Sequence, residues 1–222
     1  PVEGGLTRLA VFFQSADPAQ VGPVRSVRTT DLSLVAPTAG VLVASGGSGI
    51  TLATLSNAGL RVIDEGGPGY GRARGRRAPY NLLVRLGETR AALGAIPAPT
   101  QPYFSWAPAG SPLAGAPAGA VALRWTWGRT SRFGYVAGAG WVRDGDPPTD
   151  RFVATTLMVL RVQTRDTGQR DAAGSPVPEV VLTGGGEATL FAPGIAVPAR
   201  WAKNAPTEPL RLTGPDGAAG ER

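Results

Sequence analysis

The sequence predicts an α/β domain followed by a mostly β domain. The first is expected to contain a mixed sheet flanked by helices, and the second an antiparallel, β-rich arrangement. Three observations favour this fold class: strand–helix–strand alternation early in the chain, a stretch rich in Pro, Ala and Gly, and closely spaced strand patterns after it. We therefore assign 1–97 to the α/β domain, 98–118 to a linker and 119–222 to the β-rich domain.

The α/β domain is predicted from apolar runs that alternate with helical patterns. Strands are expected at 6–14, 41–44 and 60–63, and helices at 30–35, 50–58 and 87–93. For the second helix, Ser48 or Thr51 suits the N-cap, because a short polar side chain accepts the first free N–H groups. Gly59 suits the end of that helix, because glycine tolerates the left-handed conformation. The strand–helix–strand order over 41–63 predicts a parallel pair of strands.

The β-rich domain is predicted from strand patterns at hairpin spacing. Strands are expected at 121–127, 132–136, 140–145, 155–163, 177–182, 188–191, 195–201 and 210–212. Trp125 and Trp127 alternate onto one face of the first of these. With Tyr135 and Trp141 they predict either a sugar-stacking platform or, as we favour, aromatic filling of the core.

Composition excludes several kinds of catalytic and metal site. The chain of 222 residues contains no Cys and no His, which rules out a thiolate nucleophile, a Ser-His-Asp triad, a His general base and Cys- or His-ligated metals. The net charge of +6 comes almost wholly from arginine, since Lys203 is the only lysine. No basic stripe is interleaved with aromatic residues, so nucleic acid is not an expected partner. No cofactor and no metal site are predicted.

The run Gly22–Arg28 gives the sharpest indication of a binding site. Arg25 and Arg28 follow a Gly-Pro turn three positions apart, and on one turn of the chain they would form a cationic fork for a carboxylate or phosphate. One interpretation is an anion site in which Glu3 acts as acid, base or orienting partner and Arg8 adds charge. The other is a buried structural ion pair between Glu3 and one arginine of the fork.

Two loops of the α/β domain are further candidates. The segment 45–49, Ser-Gly-Gly-Ser-Gly, cradles a phosphate on backbone N–H groups, forms part of the Arg25/Arg28 pocket or simply connects a strand to a helix. It lacks the Gly-Lys-Ser/Thr continuation of a P-loop. The loop 66–79 is either a solvated lid or a contact for an anionic polymer. It contains four arginines: Arg72, Arg74, Arg76 and Arg77. Tyr80 and Asn81 follow, and either line the same pocket or serve in packing and capping.

Five segments form a recognisable set: Pro1–Arg8, Gly22–Arg28, Arg77–Leu82, Phe133–Arg143 and Gly184–Lys203. Together they resemble the YerB-like lipoprotein family of bacterial envelope proteins, which is built from domains of unknown function. The family usually continues before the first of these segments and beyond the last, and many relatives carry His where Tyr80 stands. The resemblance implies an exported protein, commonly held by an N-terminal lipid anchor outside this sequence, or a secreted one. It implies no established activity.

Two functions fit the sequence. The favoured one is a non-catalytic module of the cell envelope that holds an anionic ligand or a partner's carboxylate. The alternative is a wall-polymer hydrolase or transferase that uses Glu3 with Arg8, Arg25 and Arg28. The ligand-binding candidates are Arg8, Arg25, Ser26, Arg28, Ser48, Tyr80 and Asn81, and the catalytic candidate is Glu3. The expected partner is an anionic cell-wall polymer or another envelope protein, and contact with the membrane is expected only through the anchor.

Overall fold

The structure is a computed structural model that describes residues 2–3, 6–104, 113–172 and 174–214. These residues form two compact units. The α/β unit consists of Leu9–Tyr103 and Ala205–Pro209, and the β-rich unit consists of the remaining described residues. The fold class expected from the sequence is confirmed, since the helices lie in the N-terminal part and mostly antiparallel strands follow. The chain passes between the units near residues 8, 103, 204 and 209, so its first strands belong to the β-rich unit.

A short antiparallel pair of strands opens the chain, formed by β1 (Val2–Glu3) and β2 (Leu6–Thr7) in the β-rich unit. The helices of the α/β unit are α1 (Thr30–Val35), which continues as a short 3₁₀ turn, α2 (Gly49–Asn57) and α3 (Leu86–Leu93). Its strands are β3 (Leu42–Val43), β4 (Val62–Ile63), β5 (Tyr70–Arg72) and β6 (Leu82–Val84). β3 and β4 pair in parallel around α2, as the alternation predicted, and β5 and β6 form an antiparallel hairpin.

The core of the α/β unit lies between α1, α2 and the parallel strands. Its buried apolar residues are Val27, Val35, Ala44, Leu55 and Leu60. Thr51 and Leu55 of α2 are both buried, because residues four apart share one face of a helix. The Tyr70 hydroxyl ties the two parallel strands together: it lies 2.6 Å from the carbonyl oxygen of Ala44 and 2.8 Å from that of Ile63. Burial raises the pKa of Tyr70 well above its usual range, so this hydroxyl remains a donor.

The opening apolar run departs from its predicted structure. A buried strand was expected over 6–14, but strand structure ends at Thr7, and Leu9, Val11 and Phe12 are exposed, Leu9 by 74%. An apolar run becomes a buried strand only when another strand or sheet covers it, and within the α/β unit this segment has no ladder partner among the described residues. The predicted run is therefore wrong beyond its first residues.

The β-rich unit continues after residue 113 with strands at hairpin spacing. They are β7 (Ala116–Pro117), β8 (Ala120–Thr126), β9 (Arg129–Val136), β10 (Gly140–Arg143), β11 (Val153–Ala154), β12 (Leu157–Leu160), β13 (Gln163–Arg170), β14 (Pro176–Val181), β15 (Gly184–Ala192), β16 (Ile195–Lys203) and β17 (Arg211–Thr213). One antiparallel sheet has the order β11-β10-β9-β8. A second has the order β12-β15-β16-β17, with β7 also on β16, and β13 and β14 pair with each other.

Trp141 fills the core of the β-rich unit, as the favoured interpretation of the aromatic residues predicted. It is fully buried between Tyr135 and Phe191, with ring centroids 5.4 and 5.5 Å away, and its indole N–H donates to the carbonyl of Ala192 at 3.3 Å. The same interpretation is wrong for Trp125 and Trp127, because both rings are exposed at the end of the β8–β9 hairpin.

The long strand predicted over 155–163 is divided in two. β12 ends at Leu160 and pairs with β15, whereas β13 begins at Gln163 and pairs with β14. Between them the carbonyl of Arg161 accepts the indole N–H of Trp201 at 3.0 Å, which holds the chain where it leaves one sheet for the other. Among the described residues, none of the helices has the length and apolar character that crossing a membrane requires.

Candidate functional site

Two of the motifs found in the sequence, Gly22–Arg28 and Arg77–Leu82, meet in the α/β unit. The segment that begins at Gly22 runs beside β6, where Val24 N–H donates to the carbonyl of Leu82 at 2.8 Å and Val21 and Val84 exchange two bonds of 2.9 Å. The approach requires glycine at position 22, since a Cβ there would lie 2.7 Å from the Leu82 oxygen. Residues about sixty positions apart in the sequence are thereby fixed side by side.

This pairing brings Arg25 onto Tyr80. The guanidinium carbon of Arg25 lies 5.4 Å from the centroid of the Tyr80 ring, within the range of a cation–π contact. The ring is 48% exposed and Arg25 is half-buried. Within the described part of the chain no carboxylate pairs with Arg25. We call these two residues the Arg25–Tyr80 site: its cation is held on one face by an aromatic ring and keeps its hydrogen-bond donors for a ligand.

Apart from Arg28, which is described below, the arginines of the α/β unit divide into a group with and a group without a carboxylate partner among the described residues. Three carry a carboxylate partner: Arg72 with Glu65 at 2.5 Å, Arg85 with Glu88 at 2.5 Å and Arg90 with Asp17 at 2.8 Å. In the segments that the structure describes, five have none: Arg25, Arg61, Arg74, Arg76 and Arg77. Residues 9–103 contain nine arginines and five carboxylates, a net charge of +4. Most of that excess therefore belongs to Arg25 and the loop near Tyr80.

The loop 73–81 joins β5 to β6 and places further cations next to the site. We call it the basic loop; its arginines are exposed. The N–H of Tyr80 donates to the carbonyl of Arg77 at 2.9 Å, which closes a turn directly before the aromatic ring. At the other end, the Asn81 side chain accepts from Arg72 at 2.7 Å, and the Asn81 carbonyl accepts from the N–H of Ala73 at 2.7 Å. Asn81 therefore closes the base of the loop.

Arg28 occupies a different environment from Arg25. It is 8% exposed, its guanidinium donates to the carbonyl of Val27 at 2.8 Å, and its backbone N–H donates to the Asp31 carboxylate at 2.8 Å. These bonds hold the entrance of α1, with Asp31 in its first turn. Because residues 22–28 have no helical turn, the three-residue spacing of the arginines does not place them on a common face. Arg28 therefore supports the segment from which Arg25 extends.

Ser26 and Ser48 likewise support the site instead of lining it. The hydroxyl of Ser26 donates to the carbonyl of Ser45 at 3.2 Å, and Ser45 N–H donates to the carbonyl of Arg25 at 3.1 Å. Ser48 is the N-cap of α2, where its side chain accepts the N–H of Thr51 at 3.1 Å, as the sequence predicted. Through Ser45, these hydrogen bonds hold the segment 45–49 beside the residues that carry Arg25.

Two of the predicted site residues lie elsewhere. Arg8 is half-buried and belongs to the β-rich unit, whereas Arg25 and Arg28 belong to the α/β unit. The backbone of Glu3 belongs to β1, and its side chain lies outside the described residues. Sequence reasoning missed Glu65: no spacing signal connects it to Arg72, because a bend and a strand intervene. Lys203 of β16, the lone lysine, is buried.

Two family models match this chain. The model of a family described as "Protein of unknown function (DUF3048) N-terminal domain" matches residues 1–96, and the corresponding C-terminal domain model matches 117–220. The chain belongs to this family. Both motifs that meet at the Arg25–Tyr80 site fall within the first matched region, and the resemblance to YerB-like proteins inferred from them is confirmed.

A solved structure gives the same result for the fold. The chain is similar to the YerB protein from Bacillus subtilis, with a TM-score of 0.74 and 20% sequence identity over 93% of this chain and 72% of that one. At this level of identity the likeness concerns the fold alone. The comparison with curated proteins gave no match. The family descriptions assign no activity, so function has to be argued from the site.

Proposed function

We propose that the protein is an extracytoplasmic binding module of the bacterial cell envelope whose α/β unit holds an anionic wall polymer. The polymer's phosphate or carboxylate groups contact Arg25 and the arginines of the basic loop. The observation that carries the proposal is that Arg25, a half-buried cation stacked on Tyr80, has no carboxylate partner among the residues described. Export and attachment by a lipid anchor, or secretion, are part of the proposal, and they rest on the resemblance to YerB-like lipoproteins.

The physical reasoning begins with the cost of an unpaired cation. A guanidinium group held away from full solvation is stabilised by an anion, and its planar fork matches the two oxygens of a carboxylate or phosphate. Tyr80 fixes one face of Arg25, so less conformational entropy is lost when the other donors bind. The exposed arginines of the basic loop add attraction at longer range, which suits a repeating polyanion better than a small, singly charged molecule.

Binding is favoured over catalysis by the contacts of Glu65, a carboxylate linked to the base of the basic loop. Glu65, connected to the site through Arg72 and Asn81, is held by the Arg72 guanidinium at 2.5 Å. A general acid or base has to contact the reacting atoms of a substrate, whereas the Glu65 carboxylate is already engaged by Arg72. The hydrolase or transferase hypothesis depended on Glu3, whose side chain lies outside the described residues.

The proposal is tested by titrating the protein calorimetrically with three polymers: a polyglycerol-phosphate teichoic acid, a polyuronate and neutral dextran. We expect binding to both polyanions and none to dextran, and the ratio of the two affinities identifies the preferred anion. Arg25→Ala should weaken binding at least about tenfold, the value of a charge-assisted hydrogen bond. Arg61→Ala is the matched control, because Arg61 is exposed and unpaired in the same unit and its loss removes the same charge.

The variants distinguish a built site from general attraction. Combined replacement of Arg74, Arg76 and Arg77 by Ala should weaken binding further and reduce its dependence on salt. Equal losses for Arg25→Ala and Arg61→Ala would show that only net charge matters and would overturn the site. No binding of the unchanged protein to either polyanion would overturn the proposed function.

A further inference from the structure

The end of the β8–β9 hairpin is the most unusual surface of the β-rich unit. Residues 124–130 are all exposed, and Trp127 in the connecting turn is 98% exposed, while Trp125 is about half exposed. Indole rings carry a large apolar surface, and tryptophan is enriched at interfaces and in membrane-interface belts, where one end of the side chain is apolar and the other is wet. The Arg25–Tyr80 site was defined from residues of the other unit.

The hairpin is also strongly cationic. Residues 120–136 contain three arginines, Arg124, Arg129 and Arg132, and no Asp or Glu. Positive side chains next to exposed tryptophan match the two layers of an anionic bilayer surface: arginine pairs with lipid phosphates, and tryptophan prefers the boundary between headgroups and acyl chains.

The tip is held in shape by the hairpin itself. Thr126 and Arg129 are cross-strand partners on either side of the turn, and the Trp125 indole N–H donates to the Ser131 hydroxyl at 3.0 Å. Trp125 therefore lies across the hairpin while Trp127 extends from its end. The backbone of the tip and the Trp125 ring therefore need little further ordering when this surface docks, which lowers the entropic cost of the contact.

We propose that the tip of the β8–β9 hairpin docks on anionic lipid bilayers, with Trp127 entering the interface and Arg124, Arg129 and Arg132 contacting lipid phosphates. A protein partner is less favoured, because an interface hot spot needs a surrounding rim that excludes water. Here the tip is exposed on every side. A bilayer needs no preformed rim, since lipid closes around the inserted ring. This contact is separate from any lipid anchor and independent of polymer binding by the α/β unit.

The test is co-sedimentation of the 222-residue chain with vesicles of phosphatidylcholine alone or with about one third phosphatidylglycerol. We expect binding to the anionic vesicles, a loss of about fivefold for Arg132→Ala from its surface charge, and a larger loss for Trp127→Ala. Arg61→Ala and Ile50→Ala are the controls, because they remove an exposed arginine and an exposed apolar side chain of the α/β unit. Vesicles with brominated acyl chains should quench tryptophan fluorescence, and Trp127→Phe should remove most of that quenching.

Several results would overturn the inference. The unchanged protein could sediment equally with both kinds of vesicle or with neither, and the latter would point to a protein partner for Trp127. Trp127→Ala could bind as well as the unchanged chain. Combined replacement of Arg74, Arg76 and Arg77 by Ala could abolish sedimentation while Trp127→Phe left quenching intact, which would assign lipid contact to the basic loop. None of these outcomes bears on the calorimetric test with soluble polymers, so the two proposals fail separately.

Discussion

Replacement of Tyr70 by Phe tests how the α/β unit holds its parallel strands together. The change removes only the hydroxyl that bridges the carbonyls of Ala44 and Ile63. The Ile63 oxygen keeps a bond of 3.0 Å from Ala44 N–H, so the Ala44 oxygen alone loses its partner. One buried carbonyl without a partner costs about 1–3 kcal/mol, and we expect the free energy of unfolding to fall by about 2 kcal/mol.

The two units give separate signals for this measurement. In the described part of the chain, all α-helices lie in the α/β unit, and Trp125, Trp127, Trp141 and Trp201 lie in the β-rich unit. Urea titration followed by far-ultraviolet circular dichroism should therefore show a lower midpoint, with an unchanged slope, for the helical signal of Tyr70→Phe. Tryptophan fluorescence should change less.

Tyr80→Phe is the matched control, because the Tyr80 hydroxyl makes no hydrogen bond among the described residues and its ring is half exposed. It should alter stability by less than about 0.5 kcal/mol. If Tyr70→Phe were equally harmless, the hydroxyl would not be what joins the ends of β3 and β4, and the argument from the buried carbonyl would be refuted.

Three further predictions concern the turn, the helix cap and the β-rich unit. Gly22→Ala should lower the stability of the α/β unit by about 1–3 kcal/mol, since its Cβ would lie 2.7 Å from both the Leu82 oxygen and a Leu83 methyl. Ser48→Ala should lower it by about 1 kcal/mol through loss of the α2 cap, and Ser48→Gly by less; equal losses would contradict the capping role. Hydrogen bonds from Arg143 and the Phe152 N–H lower the pKa of Asp146. The Asp146 carboxylate therefore adds to the free energy of unfolding above the unfolded pKa of about 3.9, and this contribution is lost as pH falls through the lowered pKa. The stability difference between the unchanged protein and Asp146→Asn, followed by tryptophan fluorescence, should accordingly shrink in acid; a pH-independent difference would contradict this.

Local chemistry was enough to predict α2 and the strands around it. Ser48 supplies a cap, the apolar periodicity supplies a buried face, and the short connections leave parallel pairing as the natural arrangement. The apolar run over 6–14 failed because composition alone does not show whether a partner strand is available. The strand over 155–163 failed because the chain changes partner sheets near Arg161, which depends on contacts far away in sequence.

The candidate site was predictable in its parts but not in its assembly. Arg25, Tyr80 and the loop arginines were identified from two motifs, yet nothing in their spacing joins residue 25 to residue 80. That contact depends on Gly22 and Val24 lying along β6. The fork of Arg25 and Arg28 assumed a helical turn, and the segment is irregular instead. A three-residue interval has a directional meaning only once the backbone conformation is known.

The order of the two units along the chain limits how the protein can be dissected. β1 precedes the α/β unit in the sequence, but it contacts β14, which follows that unit. A single cleavage between the halves would leave the opening strands attached to the wrong fragment and remove a neighbour from β14. Excision of residues 9–103 with a short bridge is therefore a better route to an autonomous β fragment than truncation from the N-terminus, and the residues 205–209 that return to the α/β unit would then need a polar replacement.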